Sequence, residues 1–572
     1  MDFGATSPGF VNRKIDSRDI LILFLIGVLG QILLIANPGY YSHDEWQRFD
    51  NYLNNGFFSY IAQSSQIHAG ASFGTPVRPV AFALQGIHNL FFQSFPFVVH
   101  LISAVNTIIV SIIVYFACIN LGLTRKVALV AGALFTLNPL AVLATGWSAA
   151  LMDQLYFTFG LVTFLLAVRY VFNSKKEILV LVSVAAGGMF SVLSKETGIV
   201  FPALLLLLIA LFPKQLLSRW RRLFLVAGVW LLPIVLYLLY RIAAIENSFG
   251  GAAEDPYAAS FLNIGKNIFA YWIYPFHPFI TEAHNWTLQS TWSITLSFTI
   301  HVALVLILAF CYGFRYSLIY IISYFLFLLP VLFLQNQGSH YMFASAAPLS
   351  VALASLILNK NKLVKFFSIF ATSILLWHGF AFQKQIYETG LCMNRISTSL
   401  EANHASAGFP GDVFFTSDWD APTTILLRLI HDRNRIGEHG NITFHTPSPS
   451  QQPIKDSLIL NLNKHCLLSV VNYNLSVEDF GPKFTTAGVN PNKQPDGSIG
   501  LWIKVNSTQG FSQAQVYFDD KAALATSVED KIITAAIDPK YISKPGKHVL
   551  TLRLPSRDDI QQIGVFEVKA SD

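Results

Sequence analysis

Charged residues are scarce in this chain of 572 residues, at 13% of the total. Soluble proteins carry about 25% charged residues, so this deficit excludes an ordinary soluble domain. Long apolar segments recur every few tens of residues, which predicts a polytopic membrane protein. The net charge of +6 does not indicate a nucleic-acid partner, because the basic residues form short clusters between apolar segments.

Cysteine is also rare, with four residues in the chain. Cys118 and Cys311 lie in apolar segments and are interpreted as packing residues. Cys392 and Cys466 lie in the polar C-terminal region, where a disulfide between them requires an extracytoplasmic location. The sequence does not show whether these two approach each other. The first apolar segment, 20–36, is not followed by a small-residue cleavage site, and we interpret it as a signal anchor.

Apolar segments of about 20 residues predict about eleven membrane-spanning helices. If the N-terminus is cytoplasmic, sixteen Lys and Arg residues fall on the cytoplasmic side up to residue 382, and five fall on the outer side. Because Lys and Arg concentrate in cytoplasmic loops, this asymmetry supports the orientation. An odd number of spans then places everything after residue 382 outside. The predicted spans are 18–37, 97–119, 126–145, 153–172, 177–195, 198–213, 222–242, 292–313, 316–335, 341–358 and 364–382.

The composition becomes more polar after residue 382, and the sequence predicts three domains. Residues 1–382 form a transmembrane domain, 383–480 a small extracytoplasmic α/β region, and 481–572 a β-sandwich. A strand at 411–417 and a helix at 421–433 indicate the α/β region. Short alternating strands separated by Gly, Pro and Asn predict the sandwich, which resembles the immunoglobulin-like (Ig-like) modules of bacterial surface proteins.

Five groups of polar residues fall on the predicted outer side, each near the outer end of a span or in the loop at 38–96. This loop contains an amphipathic stretch that is too broken to span and is predicted to lie in the membrane interface. The aromatic-rich loop at 243–291 is predicted to lie along the membrane surface. Together the five groups would surround a cavity that opens outward near the bilayer surface. They are Asp44-Glu45, Arg78-Pro79, Trp147 with Asp153, Lys195-Glu196 and His340-Tyr341.

The residue types in these groups suit the transfer of a sugar from a lipid phosphate. The leaving phosphate needs cations, and Arg78, Lys195 and Arg241 are the candidates. An acceptor hydroxyl needs a carboxylate base for attack at the anomeric carbon, and Asp44 or Glu45 fits that role.

A second acid in the cavity would orient the acceptor or complete a site for a hard divalent cation. Asp153 and Glu196 are the candidates for the second acid, and His340 and Tyr341 are candidate substrate-binding residues. No cofactor is certain. A divalent metal ion is the one candidate, with Asp44 and Asp153 as its ligands.

Structural interpretations of the same residues remain open. The acidic pair of the first outer loop also fits the solvated start of a loop. Lys195 and Glu196 also fit a local neutralised pair at a helix end, and Asp153 fits an N-cap of the fourth span. A lone His340 is typical of the membrane interface.

Several short segments occur in a fixed order along the first 345 residues. They are the Asp44-Glu45 loop, 74–80, 100–106, 137–140 followed by Trp147 and Asp153, 193–198, and 340–343. This ordered set resembles the GT-C superfamily of membrane glycosyltransferases, and within it the transmembrane-and-TPR O-mannosyltransferases. The chain departs from that family at Leu151 and at His340, where the family has Arg, and it has no TPR array.

The resemblance implies an inverting transferase that takes a monosaccharide from a polyprenyl or dolichyl phosphate. It also implies an acceptor on the non-cytoplasmic side and a catalytic acid in the first outer loop, which is Asp44 or Glu45 here. Because of these departures, the family's fold and donor class carry over to this chain better than its acceptor does. Protein mannosylation is therefore not assumed.

The sequence therefore predicts a GT-C-like glycosyltransferase, a hexosyltransferase that acts on a cell-envelope glycan or a protein. Its expected partners are a polyprenyl-phosphate-linked sugar, that acceptor and the lipid bilayer, and its expected location is a bacterial inner membrane. A transporter or flippase of lipid-linked sugars is the alternative, although transporters usually have midplane sites and repeated halves. A metal site at His277, Glu282 and His284 is a lesser candidate, because their spacing matches no helical ligand pair.

Overall fold

The computed structural model divides the chain into two compact units, residues 1–394 and 395–572, which are described separately. The first unit is helical, and the second contains β-sheets. The domain boundaries predicted at residues 382 and 480 stay predictions. The residues described are 16–63, 78–92, 94–172, 178–245, 260–277, 282–407, 412–417, 443–445, 458–463, 465–471, 477–505, 514–529, 531–553 and 560–571.

Helices account for nearly all of the described residues of the first unit, and short 3-10 helices connect several of them. The 3-10 helices that matter for the site are Ser148–Ala150, Glu196–Ala203 and Ser339–Met342. The α-helices are α1 Ser17–Gly30, α2 Ile32–Ile35, α3 His43–Gln63, α4 Pro79–Phe91, α5 Pro96–Asn120, α6 Arg125–Leu137, α7 Pro139–Gly146, α8 Leu151–Phe172, α9 Ile178–Ser194, α10 Leu204–Leu211, α11 Pro213–Leu217, α12 Trp220–Ile245, α13 Asn263–Ile273, α14 Thr291–Tyr312, α15 Phe314–Leu326, α16 Ala346–Ile357 and α17 Lys362–Ala407.

The protein is an integral membrane protein with a helical membrane domain. Helical structure occurs within each of the predicted spans, while the total of eleven stays a prediction. Within the described residues, five helices are long and apolar enough to cross a membrane: Pro96–Asn120, Ser148–Phe172, Trp220–Tyr240, Thr291–Tyr312 and Lys362–Leu400. Helices α6 and α7 are long and apolar enough when taken together, but the chain bends by 51° between them.

The bend between α6 and α7 has a local cause in Asn138 and Pro139. A residue before proline avoids the helical region, and Asn138 is extended, with φ −74° and ψ 131°. Its side-chain oxygen accepts a hydrogen bond from the Leu140 amide at 3.1 Å and so caps α7. Pro139 occupies the first helical position, where its missing N–H costs nothing. The short α7 then leads to the 3-10 helix Ser148–Ala150 and the start of α8.

The chain enters the first predicted outer loop through a tight contact with α17. The Asn37 side chain donates to the Ile386 carbonyl at 3.3 Å and accepts from the Gly39 amide at 3.1 Å. The His100 ring donates to the Gly39 carbonyl at 2.7 Å. A Cβ atom on Gly39 would overlap the Gly390 backbone, and one on Gly390 would overlap the Asn37 side chain. Two glycines are therefore required for this close approach.

The described residues of the second unit form three sheets, each of four or five strands. The first has strand order β2-β1-β3-β4, with β1 parallel to β2 and β3; the helix predicted at 421–433 lies outside the described residues. The strands are β1 Asp412–Ser417, β2 Thr443–His445, β3 Leu458–Leu462, β4 Leu468–Val471, β5 Val477–Gly481, β6 Phe484–Thr486, β7 Ile499–Val505, β8 Gln515–Phe518, β9 Lys521–Ala522, β10 Ala525–Glu529, β11 Ile532–Ile537, β12 Gly546–Arg553 and β13 Ile560–Lys569.

The other two sheets share one hydrophobic core and have the orders β10-β11-β7-β5 and β6-β13-β12-β8-β9. Strand β7 shows why they face each other: Leu501, Ile503 and Val505 are buried, whereas Trp502 and Lys504 are exposed. This alternation is that of a strand with one face in a core. The Ig-like character of this region stays a prediction.

We expect Gly390→Ala to lower the melting temperature of the detergent-solubilised protein, because the new methyl group must displace Asn37. Overpacking of this kind typically costs about 1–3 kcal/mol. Gly228→Ala in α12 is the matched control, since a Cβ atom there meets no described atom within 4 Å, and it should leave the melting temperature unchanged or raise it slightly. Equal melting temperatures for both variants would contradict the close approach.

Candidate active site

Glu45 holds the acidic pair of the first outer loop in a fixed position. It lies in the first turn of α3 and is 1% exposed. One carboxylate oxygen accepts from the amides of Tyr41 at 2.6 Å and Ser42 at 2.8 Å. The other accepts from the Ser148 amide at 2.7 Å. This carboxylate therefore caps α3 and fastens it to the segment just before α8.

Asp44 differs from its neighbour in its surroundings. Successive residues in a helix are about 100° apart around the axis, so the two side chains point in different directions. Asp44 is partly exposed, whereas Glu45 is buried. The pair thus consists of one internal structural carboxylate and one carboxylate at an accessible surface.

Asp153 and Lys195 form a buried ion pair. The ammonium group of Lys195 donates to Oδ1 of Asp153. The Lys195 side chain is 5% exposed and the Asp153 side chain is 2% exposed. The second carboxylate oxygen, Oδ2 of Asp153, is buried and has no hydrogen-bond partner among the described residues. The ammonium group also lies 4.5 Å from the centre of the Tyr341 ring, within cation–π distance. This pair links the start of α8 to the end of α9.

Arg78 and Glu196 form a second ion pair beside the first. Nε of Arg78 lies 3.1 Å from one oxygen of Glu196 and 3.3 Å from the other, and Nη2 lies 2.8 Å from the first oxygen. Nη1 contacts the Met152 sulfur at 2.6 Å. Lys195 and Glu196 are adjacent in sequence, yet each has an ion-pair partner on a different element. The interpretation of these two residues as a purely local pair is therefore wrong.

The 3-10 helix Ser339–Met342 brings two predicted residues to the same place. The centre of the His340 ring lies 4.1 Å from that of Tyr341 and 5.0 Å from that of Trp147. Desolvation lowers the pKa of His340 well below its usual value, and the positive charges of Lys195 and Arg78 lower it further. His340 is therefore neutral at physiological pH, and its Nδ1 is buried without a hydrogen-bond partner in the described part of the chain.

Arg48 is an outer cation that the sequence did not single out as a site residue. One of its guanidinium nitrogens donates to the Gln85 side chain and to the Ala149 carbonyl, the latter at 2.9 Å. It thereby joins α3, α4 and the segment before α8. Arg241, a predicted phosphate ligand, lies in α12, and its side chain is outside the described residues.

Glu282 is a candidate site residue that sequence reasoning considered only as a metal ligand. Its carboxylate accepts from the Tyr41 hydroxyl at 2.9 Å and from the Ser339 hydroxyl at 3.2 Å. It thus ties the Asp44 loop to the segment that carries His340. Desolvation raises the pKa of Glu282 to about 7, against the opposing effect of its hydrogen bonds with Tyr41 and Ser339. One signal was available: Glu282 is the only acid between residues 256 and 387.

No metal centre is formed by the residues that the structure describes, since no three His, Cys, Asp or Glu side chains are grouped to hold an ion. The lesser candidate at His277, Glu282 and His284 is therefore not supported. Nε2 of His277 is hydrogen-bonded to the Ser293 hydroxyl at 3.1 Å instead.

We expect Lys195→Met and Asp153→Leu each to destabilise the protein by about 3–5 kcal/mol, because each leaves one uncompensated buried charge. The double variant should cost less than the sum of the two, since it leaves no charge behind. Unfolding in detergent measures all three. The exposed pair Lys384–Glu388 is the control, and its removal should cost at most about 1 kcal/mol. Additive effects at Lys195 and Asp153 would contradict a buried pair.

The raised pKa of Glu282 predicts a pH dependence of stability. The folded protein holds this proton more tightly than the unfolded chain, so the free energy of unfolding falls as pH rises from about 4.5 to about 7. Glu282→Gln should therefore reduce the difference in melting temperature between pH 5 and pH 8. Glu388→Gln, which removes an exposed acid, should leave that difference unchanged. A difference of wild-type size in the Glu282→Gln variant would refute the assignment.

No protein-family model matches the chain, and no curated protein matches it. Solved structures do show similarity. The Archaeoglobus fulgidus oligosaccharyltransferase, tethered to an acceptor peptide with the NVT sequon, is 14% identical over 73% of this chain, with a TM-score of 0.39. The chain spans 63% of that protein's length. ArnT from Cupriavidus metallidurans, bound to undecaprenyl phosphate, is 12% identical over 75% of this chain and 86% of its own, with a TM-score of 0.42.

Proposed function

We propose that the protein is an inverting glycosyltransferase of the membrane. It transfers a monosaccharide from a polyprenyl-phosphate-linked donor to a cell-envelope glycan or protein on the non-cytoplasmic face. The observation that carries the proposal is the pair of adjacent ion pairs, Arg78–Glu196 and Lys195–Asp153, next to the segment bearing His340 and Tyr341. The order of motifs in the sequence, which resembles that of GT-C glycosyltransferases, supports the same function.

Asp44 is the proposed base. In an inverting transfer the acceptor oxygen bonds to the anomeric carbon while the bond from that carbon to the phosphate oxygen breaks, and a base takes the hydroxyl proton. The Glu45 carboxylate already accepts three amide hydrogen bonds inside the protein, so binding a proton there would weaken the contacts that fix the loop. Asp44 is partly exposed, so an acceptor hydroxyl can reach its carboxylate.

Arg78 and Lys195 are the proposed ligands of the donor phosphate. A guanidinium has five N–H donors and an ammonium has three, so each cation retains donors beyond those used by its carboxylate partner. Positive charge fixed beside the leaving phosphate stabilises the charge that develops as the sugar departs. Arg241 remains a proposed third cation.

Asp153 and Glu196 have a proposed role in orienting these cations and the acceptor. Oδ2 of Asp153 is buried and without a hydrogen-bond partner among the described residues, which suits it to accept from a substrate hydroxyl. His340, being neutral, and Tyr341 offer ring surfaces and a hydrogen-bonding group to the sugar.

The proposed location is a bacterial inner membrane, with the N-terminus cytoplasmic and the C-terminal unit periplasmic. The distribution of Lys and Arg between the two sides supports this orientation. Under it, the site faces the compartment in which envelope glycans are assembled.

The test compares Asp44→Asn with Glu45→Gln in cells that lack the native protein. Loss of a general base typically costs about 10²–10⁴-fold in rate, so Asp44→Asn should abolish the hexose that mass spectrometry finds on envelope glycans or glycoproteins of complemented cells. Its melting temperature should stay at the wild-type value. Glu45→Gln should lower the melting temperature, since it weakens amide contacts to a buried carboxylate.

Glu388→Gln is the control for loss of one exposed acid, and it should preserve both transfer and stability. Transfer at the wild-type level by folded Asp44→Asn would overturn the assignment of the base. Identical glycans in cells with and without the protein would overturn the transferase function.

A further inference from the structure

An apolar cavity of about 280 Å³ lies inside the helical unit. It is lined by side chains of α5, α8, α10, α14, α15 and α16. On α8 the lining residues are Phe157, Leu161 and Phe164, whose spacing places them on the same face of the helix as Asp153. The cavity therefore begins about one helical turn from the buried ion pair and extends away from it.

A layer of buried phenylalanines separates the cavity from the candidate active site. The centre of the Phe157 ring lies 5.8 Å from that of Phe201, 5.4 Å from that of Phe327 and 5.9 Å from that of Phe343. Phe157 and Phe327 also line the cavity. Phe201 belongs to the 3-10 helix that begins at Glu196, so this layer contacts both the cavity and the candidate active site. We call these residues, together with Phe135, the phenylalanine layer.

The entrance to the cavity lies at its other end. The lining residues Leu121, Leu123 and Tyr316 are partly exposed there, whereas Phe157 and Phe327 are buried. Ser323, Ala347 and Pro348 are partly exposed as well. From Tyr316 to Phe327 the chain rises about 16 Å at 1.5 Å per residue. One leaflet of a bilayer contributes about 15 Å of hydrocarbon. The cavity is thus as deep as one leaflet.

Basic residues predominate in the segments near the entrance. No acid occurs in the segments 204–217, 307–323 or 347–365, which supply most of the lining on that side. Six exposed basic residues lie within five residues of a lining residue, and two of them, Arg125 and Arg169, are set aside. Arg125 forms ion pairs with Asp16 and Asp19, and Arg169 lies a full five residues from its nearest lining residue, Phe164, and therefore on another face of α8. The other four are Lys126, Lys214, Arg315 and Lys360. Basic pockets between transmembrane helices attract anionic lipid head groups.

We propose that this cavity binds one hydrocarbon chain of an anionic phospholipid, whose phosphate lies among these four basic residues. The depth fits a chain from the leaflet at the basic end, and the lining offers it apolar contacts throughout. The phenylalanine layer prevents the same cavity from receiving a chain whose phosphate is held at Lys195. The lipid site is therefore separate from the proposed donor site and does not depend on the transferase function.

The test uses the purified full-length protein in detergent, with phosphatidylglycerol and phosphatidylcholine as probes and native mass spectrometry to count retained lipid. Wild-type protein should retain one phosphatidylglycerol in preference to phosphatidylcholine. Ala352→Phe, which fills the cavity, should weaken retention at least tenfold. Leu206→Phe is the matched control, because Leu206 lies on α10 but is 66% exposed, outside the cavity.

A second variant does not alter the core and so remains informative if Ala352→Phe fails to fold. Lys214→Gln/Arg315→Gln should keep the bound lipid but lose at least about tenfold of the preference for phosphatidylglycerol, since each basic residue near an anionic surface contributes about a factor of five. Equal retention of both lipids by the wild type would overturn the proposal. So would an unchanged preference in the double variant, or displacement of the lipid by undecaprenyl phosphate.

Discussion

Asp153 and Lys195 place two opposite charges where water is excluded, and the candidate site is arranged around that constraint. Removing two ions from water costs several kcal/mol for each ion, and only close contact with additional hydrogen bonds offsets it. The contact joins the first turn of α8 to the residue after α9, so the two helices cannot shift without exposing an unpaired charge. The second pair, Arg78–Glu196, adds α4 to the same junction.

The loop that carries Asp44 depends on the same junction through several attachments. Glu45 binds the Ser148 amide just before α8, and Glu282 binds both Tyr41 and Ser339. These contacts come from three separate parts of the chain. A base that must meet a substrate within hydrogen-bonding distance needs such fixation, because small displacements of a catalytic group are costly.

Composition and periodicity were sufficient to predict a helical membrane domain and a β-rich C-terminal region, because those features depend on local hydrophobicity. The strands at β1, β3 and β7 were predictable for the same reason. The sequence also indicated which polar residues belong to the site region, but not their partners. Lys195 and Glu196 are neighbours in sequence, and their separate pairings depend on how α4, α8 and α9 pack. Glu45 differs from Asp44 because it accepts a hydrogen bond from the Ser148 amide, 103 residues away in the sequence. No local sequence pattern reveals that contact.

The phenylalanine layer has an electrical consequence. The candidate site concentrates charged groups at one end of the helical unit, and a membrane protein with such a cavity risks leaking ions or protons down the membrane potential. Hydrocarbon rings in mutual contact, at centre-to-centre distances of 5.3 to 5.9 Å around Phe157 and Phe343, offer an ion no ligand in place of water. The layer thus closes the apolar interior beneath the buried ion pairs, so the protein can hold charged groups at one end of the helical unit without offering ions a path through it.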